Sequence, residues 1–283
     1  MSGHGIILHH YDYSSFSEKV RLVLGLKNLT WQGVIIPAVA PKPDLTPLTG
    51  GYRHTPVMQI GADVYCDTRL ITRELDRRFP EPPICPQHLT GFASAIEAWA
   101  ERDFFWPIAR YVSGLNADQT PDMNVDRAAM RGKLPPSVAR LKALAGESFN
   151  LMQTYFPRVD TMLSDGRPFL IAETPTIADF AVYHGFWFMS AMPRDCSEYA
   201  QDFPRITAWM NRIKAIGHGR STTIAPESSN NSATPGPCAT ATTTRVMSRG
   251  RLRCCSIRSV TACDMPCILR LRSMITMAPL AGS

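Results

Sequence analysis

The chain has 283 residues, of which 45% are hydrophobic and 19% charged, a balance typical of a globular protein with one large or two modest cores. It contains no run of about 18 uncharged apolar residues, which argues against a membrane-spanning helix and a membrane partner. The formal net charge is +6, but residues 1–220 carry 23 basic and 22 acidic side chains, which argues against a nucleic-acid partner for this part.

The first 80 residues alternate between short strands and helices. The segment GIILHHY is apolar, short and bounded by Gly5 and Asp12, which predicts a buried strand. The segment FSEKVRLVLGLKN has apolar residues at helical spacing, which predicts an amphipathic helix. The predicted elements are a strand at 5–11, a helix at 16–28, a strand at 30–37, a hairpin at 56–66 and a helix at 67–79. This order indicates a small four-stranded mixed sheet.

After a Pro-rich linker the pattern becomes helical. Residues 138–166 predict a long amphipathic helix, and residues 176–192 are apolar on most sides, as expected of a central buried helix. A last helix is predicted over 203–219. We therefore expect an α/β domain over residues 1–82 and an all-helical domain over residues 90–220.

The tail over residues 221–283 differs from the rest of the chain. It has no aromatic residue, so it has few large side chains with which to form a core. We expect this tail to be largely unstructured, and its abrupt change of composition suggests a reading-frame artefact, which resequencing of the coding DNA tests. The spacing of its cysteines fits a zinc site poorly, and we expect no metal. The cysteines in question are Cys254, Cys255, Cys263 and Cys267.

Four short motifs occur in order along residues 1–220. They are YSSFSEKVR, TPVMQI, YCDTRLI and TPTIADFAVY. Together they resemble the active-site turn, the cis-proline turn, the glutamyl-binding turn and the helical capping box of the glutathione S-transferase family. The resemblance implies a thioredoxin-like domain followed by an all-α domain, with glutathione as co-substrate. The N-terminal residues lack the pattern of a secretory signal, so we expect a cytoplasmic protein.

The first motif implies a hydroxyl donor to the glutathione thiolate. Ser14 stands where the family carries its active-site Ser or Cys, and we predict that it is the catalytic donor. Tyr11 and Tyr13 also carry hydroxyls near this turn, and some relatives use a tyrosine from the first strand. Of these two, Tyr13 is the alternative. We expect Ser15 to contact glutathione and to cap the helix, and Ser17 to lie in the first turn.

The second and third motifs imply the remaining glutathione contacts. The resemblance implies a cis bond between Thr55 and Pro56, which exposes the Thr55 backbone to the cysteinyl part of glutathione. Asp67 and Thr68 are residue types that commonly cap helices. The resemblance implies that Asp67 faces the α-ammonium of the glutamyl part of glutathione and that Thr68 binds its α-carboxylate. The glycyl carboxylate is expected to contact His54, with Lys42 or Arg53 assisting from the loop. His54 equally suits a solvated loop.

The second substrate is expected between the domains. The candidate lining of its pocket is aromatic and comprises Phe104, Phe105, Trp106, Tyr111 and Trp187, which suit a hydrophobic core equally well. The resemblance implies a homodimeric detoxification enzyme that adds the glutathione thiolate to a small apolar electrophile. The alternative is a scaffold or binding protein that keeps the fold without turnover.

Overall fold

The computed structural model describes residues 5–226, Ser229 and the backbone of Val246–Met247. In this part of the chain four strands of a mixed sheet are followed by a helical region, and two edge strands of the sheet come after it. The strands are β1 (Ile6–His10), β2 (Thr30–Ile35), β3 (Val57–Ile60), β4 (Asp63–Cys66), β5 (Arg220–Thr223) and β6 (Val246–Met247). The sheet order is β5-β2-β1-β3-β4-β6. Strand β1 is parallel to β2 and antiparallel to β3, and β5 and β6 lie parallel to their neighbours.

The predicted fold class is confirmed, with a sheet that extends beyond the four expected strands. Strand β5 begins at Arg220 and runs into the segment predicted to be unstructured. It pairs with β2, with Thr30 opposite Arg220 and Gly33 opposite Thr223. Apart from residues 221–226, Ser229 and Val246–Met247, the predicted tail lies outside the described residues.

Nine α-helices lie within the described residues. They are α1 (Ser15–Leu26), α2 (Thr46–Thr49), α3 (Thr68–Arg78), α4 (Thr90–Trp99), α5 (Phe105–Leu115), α6 (Pro121–Met130), α7 (Val138–Met162), α8 (Ile177–Ala191) and α9 (Pro204–Ile216). A π-helical turn, Ala100–Phe104, joins α4 to α5. None of these helices combines the length and the apolar character that a membrane crossing requires.

The two faces of the sheet are covered by different parts of the chain. Side chains alternate along β1, so that Ile6 and Leu8 pack with α1, α3 and the helical region, whereas Ile7 belongs to a second cluster on the opposite face. Leu45, just before α2, belongs to that second cluster. Helix α1 therefore packs on the face of the sheet that carries Ile6 and Leu8.

Helix α8 is the buried centre of the helical region. Its capping box is present as predicted, because Asp179 Oδ2 accepts hydrogen bonds from the Thr176 backbone and hydroxyl, both at 2.8 Å. The other carboxylate oxygen accepts from the Leu170 backbone at 2.8 Å and from the Trp209 indole at 2.9 Å. Burial raises the pKa of Asp179, which these hydrogen bonds oppose. The role of this group is structural.

A buried ionic cluster connects α1 and α3 to the helical region. The ammonium of Lys19 lies 2.6 Å from carboxylate oxygens of both Glu97 and Glu101. Arg69 lies 2.8 Å from Glu101 on the other side. The Lys19 side chain is fully buried, so its charge depends on these partners. The cluster thereby fixes α1, whose first residues form one wall of the cavity.

Candidate functional site

A cavity of about 560 Å³ lies between the sheet domain and the helical region. One wall is the turn after β1 with the first residues of α1, and a second is the loop that precedes β3. The opposite walls come from α5, α6 and the segment leading into α7. The lining on the sheet-domain side is Tyr11, Tyr13, Ser14, Ser15, Phe16, Lys42, Arg53, His54 and Thr55.

Ser14 lies at the start of α1 and faces this cavity. Its backbone N–H donates to the Tyr11 carbonyl at 3.1 Å, which closes the turn after β1. Its hydroxyl oxygen accepts from the Ser17 backbone N–H at 3.3 Å and from the Ser17 hydroxyl at 2.8 Å. A hydroxyl accepts two hydrogen bonds and donates one, and the Ser14 hydroxyl donates to no acceptor within the part of the chain that the structure describes, so its proton is available to a ligand in the cavity.

The helix cap is Ser14 and not Ser15, which corrects the prediction. Ser14 has extended backbone angles and bonds the N–H three residues later, as an N-cap does. Ser15 is the first residue inside the helix, and it lines the cavity together with Phe16. The serine proposed for catalysis is therefore also the residue that caps the helix.

Two tyrosines lie beside this turn. The rings of Tyr11 and Tyr13 are 4.8 Å apart between centroids, and both line the cavity. The Tyr11 hydroxyl accepts a hydrogen bond from Arg127 at 3.0 Å. Burial, followed by the neighbouring Tyr11, raises the pKa of Tyr13, so its hydroxyl keeps its proton. Tyr13 therefore remains an alternative donor.

Lys42 holds the loop that precedes β3. Its ammonium donates to the Thr55 hydroxyl at 2.9 Å and lies 5.9 Å from the centre of the Tyr11 ring. Burial lowers the pKa of Lys42 to about 8, and the nearby Arg127 contributes to this shift. The expected cis bond between Thr55 and Pro56 is present.

The neighbouring loop residues differ in their partners. Arg53 forms an ion pair with Asp126 of α6 at 2.5 Å, which connects the loop to the helical region. His54 is exposed at the cavity edge and packs against Tyr52, with ring centroids 5.3 Å apart. Although the residue is exposed, partial burial of its ring and then the positive charge of Arg127 lower the pKa of His54, which favours its neutral form.

Asp67 and Thr68 lie at the start of α3 and are not part of the cavity lining. Asp67 caps α3 by accepting from the Arg69 backbone N–H at 2.9 Å, and its φ of 79° places it in the left-handed region. The Thr68 hydroxyl has no hydrogen-bond partner among the described residues. Both residues thus have capping geometry, and one hydroxyl is available to a ligand.

The predicted aromatic lining is corrected by the direction of α5. Phe105 and Trp106 line the cavity, whereas Phe104 lies on another face of the helix, between Trp99 and Phe186. Three of the predicted residues therefore lie away from the cavity described here. They are Phe104, Tyr111, which packs against Phe149 and Tyr199, and Trp187, which lies under Arg21.

The sequence reasoning missed the basic side chains of the helical wall. Arg110 of α5, Arg127 of α6, and Arg131 and Lys133 after α6 all line the cavity. The four-residue spacing of Arg127 and Arg131, which places two positions on one helical face, was the available signal. Among residues 5–226, no three His, Cys, Asp or Glu side chains form a group that suits a metal ion.

The sequence matches two domain families. The profile of the glutathione S-transferase N-terminal domain matches residues 8–83, and that of the C-terminal domain matches residues 123–216. No curated protein sequence matches the chain.

Solved structures show the same fold. A GST-like protein from Pseudomonas syringae is 34% identical with a TM-score of 0.66, over 84% of this chain and 78% of that one. A glutathione S-transferase from Methylobacillus flagellatus with GSH bound is 19% identical with a TM-score of 0.56, over 75% of this chain and 99% of that one. The beta-etherase LigF from Sphingobium is 17% identical with a TM-score of 0.57, over 74% and 95%. The chain belongs to the glutathione S-transferase family.

Proposed function

We propose that this protein is a glutathione transferase in which Ser14 stabilises the glutathione thiolate for attack on a small apolar electrophile. The observation that carries this proposal is the pair of hydrogen bonds from Ser17 to the Ser14 oxygen, which leaves the Ser14 proton for the ligand. A free thiol has a pKa of about 8.5 and is mostly protonated at neutral pH. A hydroxyl donor and the start of a helix both favour its anion.

The remainder of glutathione is proposed to lie along the sheet edge. The Thr55 backbone would pair with the cysteinyl part, in the manner of an added strand. Asp67 and the Thr68 hydroxyl would hold the glutamyl ammonium and carboxylate. Lys42 has a third N–H available beyond its bonds to Thr55 and to the Arg53 carbonyl, and with His54 it would hold the glycyl carboxylate.

The electrophile is proposed to occupy the part of the cavity that faces α5. Phe105 contacts Phe16 of α1, with ring centroids 5.0 Å apart, so the apolar surface is continuous with the start of α1. A small aromatic ring would thus lie next to the thiolate. We also propose that the protein forms a homodimer.

Two measurements on the same preparation test this function. The first is the melting temperature of the full chain with and without millimolar reduced glutathione, which rises if the folded protein binds it. The second is conjugation of 1-chloro-2,4-dinitrobenzene, followed by absorbance. A rise in melting temperature together with turnover supports the enzyme, whereas a rise without turnover supports the scaffold alternative. An unchanged melting temperature and no turnover would refute the ligand assignment.

A further inference from the structure

The cavity is basic, and four of its basic side chains lie on the helical wall opposite Ser14. Six Lys and Arg side chains line it, and no Asp or Glu does. Asp126 pairs with Arg53 and Arg127 just outside the lining. The other four have no carboxylate partner within the described part of the chain; they are Lys42, Arg110, Arg131 and Lys133.

Glutathione does not account for all of these charges. Lys42 lies beside Thr55, where the proposed glutathione site is, but Arg110 belongs to α5 and Arg131 follows α6 on the opposite wall. Burial and the neighbouring Arg127 and Arg110 lower the pKa of Arg131. An anion placed between these guanidinium groups would relieve their mutual repulsion.

An aromatic surface leads from the start of α1 to this basic wall. The ring centroids of Phe16 and Phe105 are 5.0 Å apart, and those of Phe105 and Trp106 are 5.6 Å apart. The Arg131 guanidinium lies 5.3 Å from the centre of a Trp106 ring. The reactive end and the basic end are thus joined by three aromatic side chains, which suits a planar ligand that is apolar at one end and anionic at the other.

We infer that the electrophile is an aromatic compound bearing a carboxylate or sulfonate group, which Arg131 and Arg110 bind. This inference rests on the proposed transferase function and narrows its substrate class, from a small apolar electrophile to one that is apolar only at its reacting end. The electrophilic ring carbon lies toward Ser14 and the anionic group toward Arg131. A purely apolar electrophile would form no ion pair with these two guanidinium groups.

The reaction tested is an aromatic substitution, in which glutathione replaces the chlorine of a chlorinated dinitrobenzene. The glutathione thiolate donates its electron pair to the ring carbon and forms a C–S bond, and the C–Cl bond breaks as chloride leaves with its pair. The proton released from the thiol passes to the buffer. No oxidant or reductant takes part.

The test compares 4-chloro-3,5-dinitrobenzoate with the neutral 1-chloro-2,4-dinitrobenzene. For each compound, kcat/KM is divided by the rate constant of its uncatalysed reaction with glutathione, and the preference is the ratio of the two quotients. We expect wild-type protein to prefer the benzoate. Arg131→Gln should reduce this preference about fivefold, the size expected of one partly exposed ion pair, and added salt should reduce it too.

Arg158→Gln is the matched control. Arg158 lies 5.5 Å from the Tyr155 ring centre, a stacking arrangement like that of Arg131, and both arginines are exposed, but Arg158 lies outside the cavity. Its replacement should leave the preference unchanged. Turnover of both compounds without a preference for the benzoate, or a preference equally reduced by both substitutions, would overturn the inference while the transferase function stands.

A binding measurement keeps the inference testable if the protein has no turnover. The fluorescent anion 8-anilinonaphthalene-1-sulfonate is compared with neutral N-phenyl-1-naphthylamine, which lacks only the sulfonate. Tighter binding of the anion, weakened about fivefold by Arg131→Gln and not by Arg158→Gln, supports the anion site even where conjugation fails. Equal binding of both dyes by wild type and both variants contradicts it.

Discussion

The Ser17 hydroxyl donates a hydrogen bond to the Ser14 hydroxyl oxygen over 2.8 Å, and both side chains are buried. This contact fixes the orientation of Ser14 and fills one of its acceptor positions. The Ser17 backbone N–H fills the other at 3.3 Å. Ser14 therefore combines the role of helix cap with that of a free hydrogen-bond donor facing the cavity.

Replacement of Ser14 by alanine should raise the pKa of the bound glutathione thiol. The substitution removes the donor to the thiolate, so we expect the pKa to return toward about 8.5 and turnover to fall about 100-fold. The measurement is an ultraviolet titration of thiolate absorbance in the complex.

Ser14→Ala also removes the N-cap of α1, so a second variant is needed to measure the effect of losing a helix cap alone. Ser137 caps α7 through its hydroxyl, which accepts from the Arg140 N–H at 3.2 Å, and it lies outside the cavity. Ser137→Ala should cost a similar cap energy of about 1 kcal/mol and leave the thiol pKa unchanged. If the thiol pKa is the same in Ser14→Ala as in wild type, Tyr13→Phe becomes the next variant to titrate.

The affinity for S-methylglutathione should decrease as the pH rises through about 8, where Lys42 loses its proton. The charged ammonium attracts the glycyl carboxylate and the neutral amine does not, so binding is strongest below this pH and weakens above it. We expect a loss of about fivefold between pH 7 and 9 by calorimetry. The ligand has no thiol, which removes thiol titration from the measurement.

Lys42→Arg separates this lysine from other titrating groups. An arginine stays protonated throughout the range, so the decrease attributed to residue 42 should disappear. Identical pH profiles for wild type and Lys42→Arg would show that another group causes the decrease.

Asp67→Asn should weaken glutathione binding about tenfold with little effect on melting temperature. Asn still caps α3 and tolerates the positive φ of 79°, but it lacks the charge that would face the glutamyl ammonium. Calorimetry with glutathione measures the loss. Glutaryl-Cys-Gly, which lacks only the ammonium, should bind wild type and variant equally. A tenfold difference with this ligand as well would mean that Asp67 acts through structure alone.

Lys19→Met should destabilise the fold by about 3–5 kcal/mol. The substitution leaves Glu97 and Glu101 buried with only Arg69 to balance them. Equilibrium unfolding in urea measures the change. Lys142→Met, which removes an exposed pair with Asp118, should cost less than about 1 kcal/mol. Equal small losses in both variants would contradict the view that the buried cluster holds α1 in place.

The main elements were predictable from the sequence, because β1 is a short, mostly apolar segment and the apolar residues of α1 recur at helical spacing. It did not reveal α2, since a helix of four residues is too short to show a period. It did not reveal β5 either, because all four of its side chains are exposed and the strand has no apolar alternation.

The candidate site was predictable to the extent that its residues lie in short motifs. Three serines within four residues are all suitable caps, so the sequence could not separate Ser14 from Ser15. The basic wall was harder to predict, because Arg110, Arg131 and Lys133 lie in different segments that meet only in the folded chain. The direction of α5 likewise decided which aromatic residues reach the cavity.

Asp126 joins the two halves of the cavity through its carboxylate. One oxygen accepts from the Ala40 backbone at 2.9 Å and pairs with Arg53, while the other pairs with Arg127. A compound that displaces α6 must therefore also displace the loop carrying Lys42 and His54. For the two proposed substrates this linkage predicts coupled binding, in which each changes the affinity for the other by the same factor.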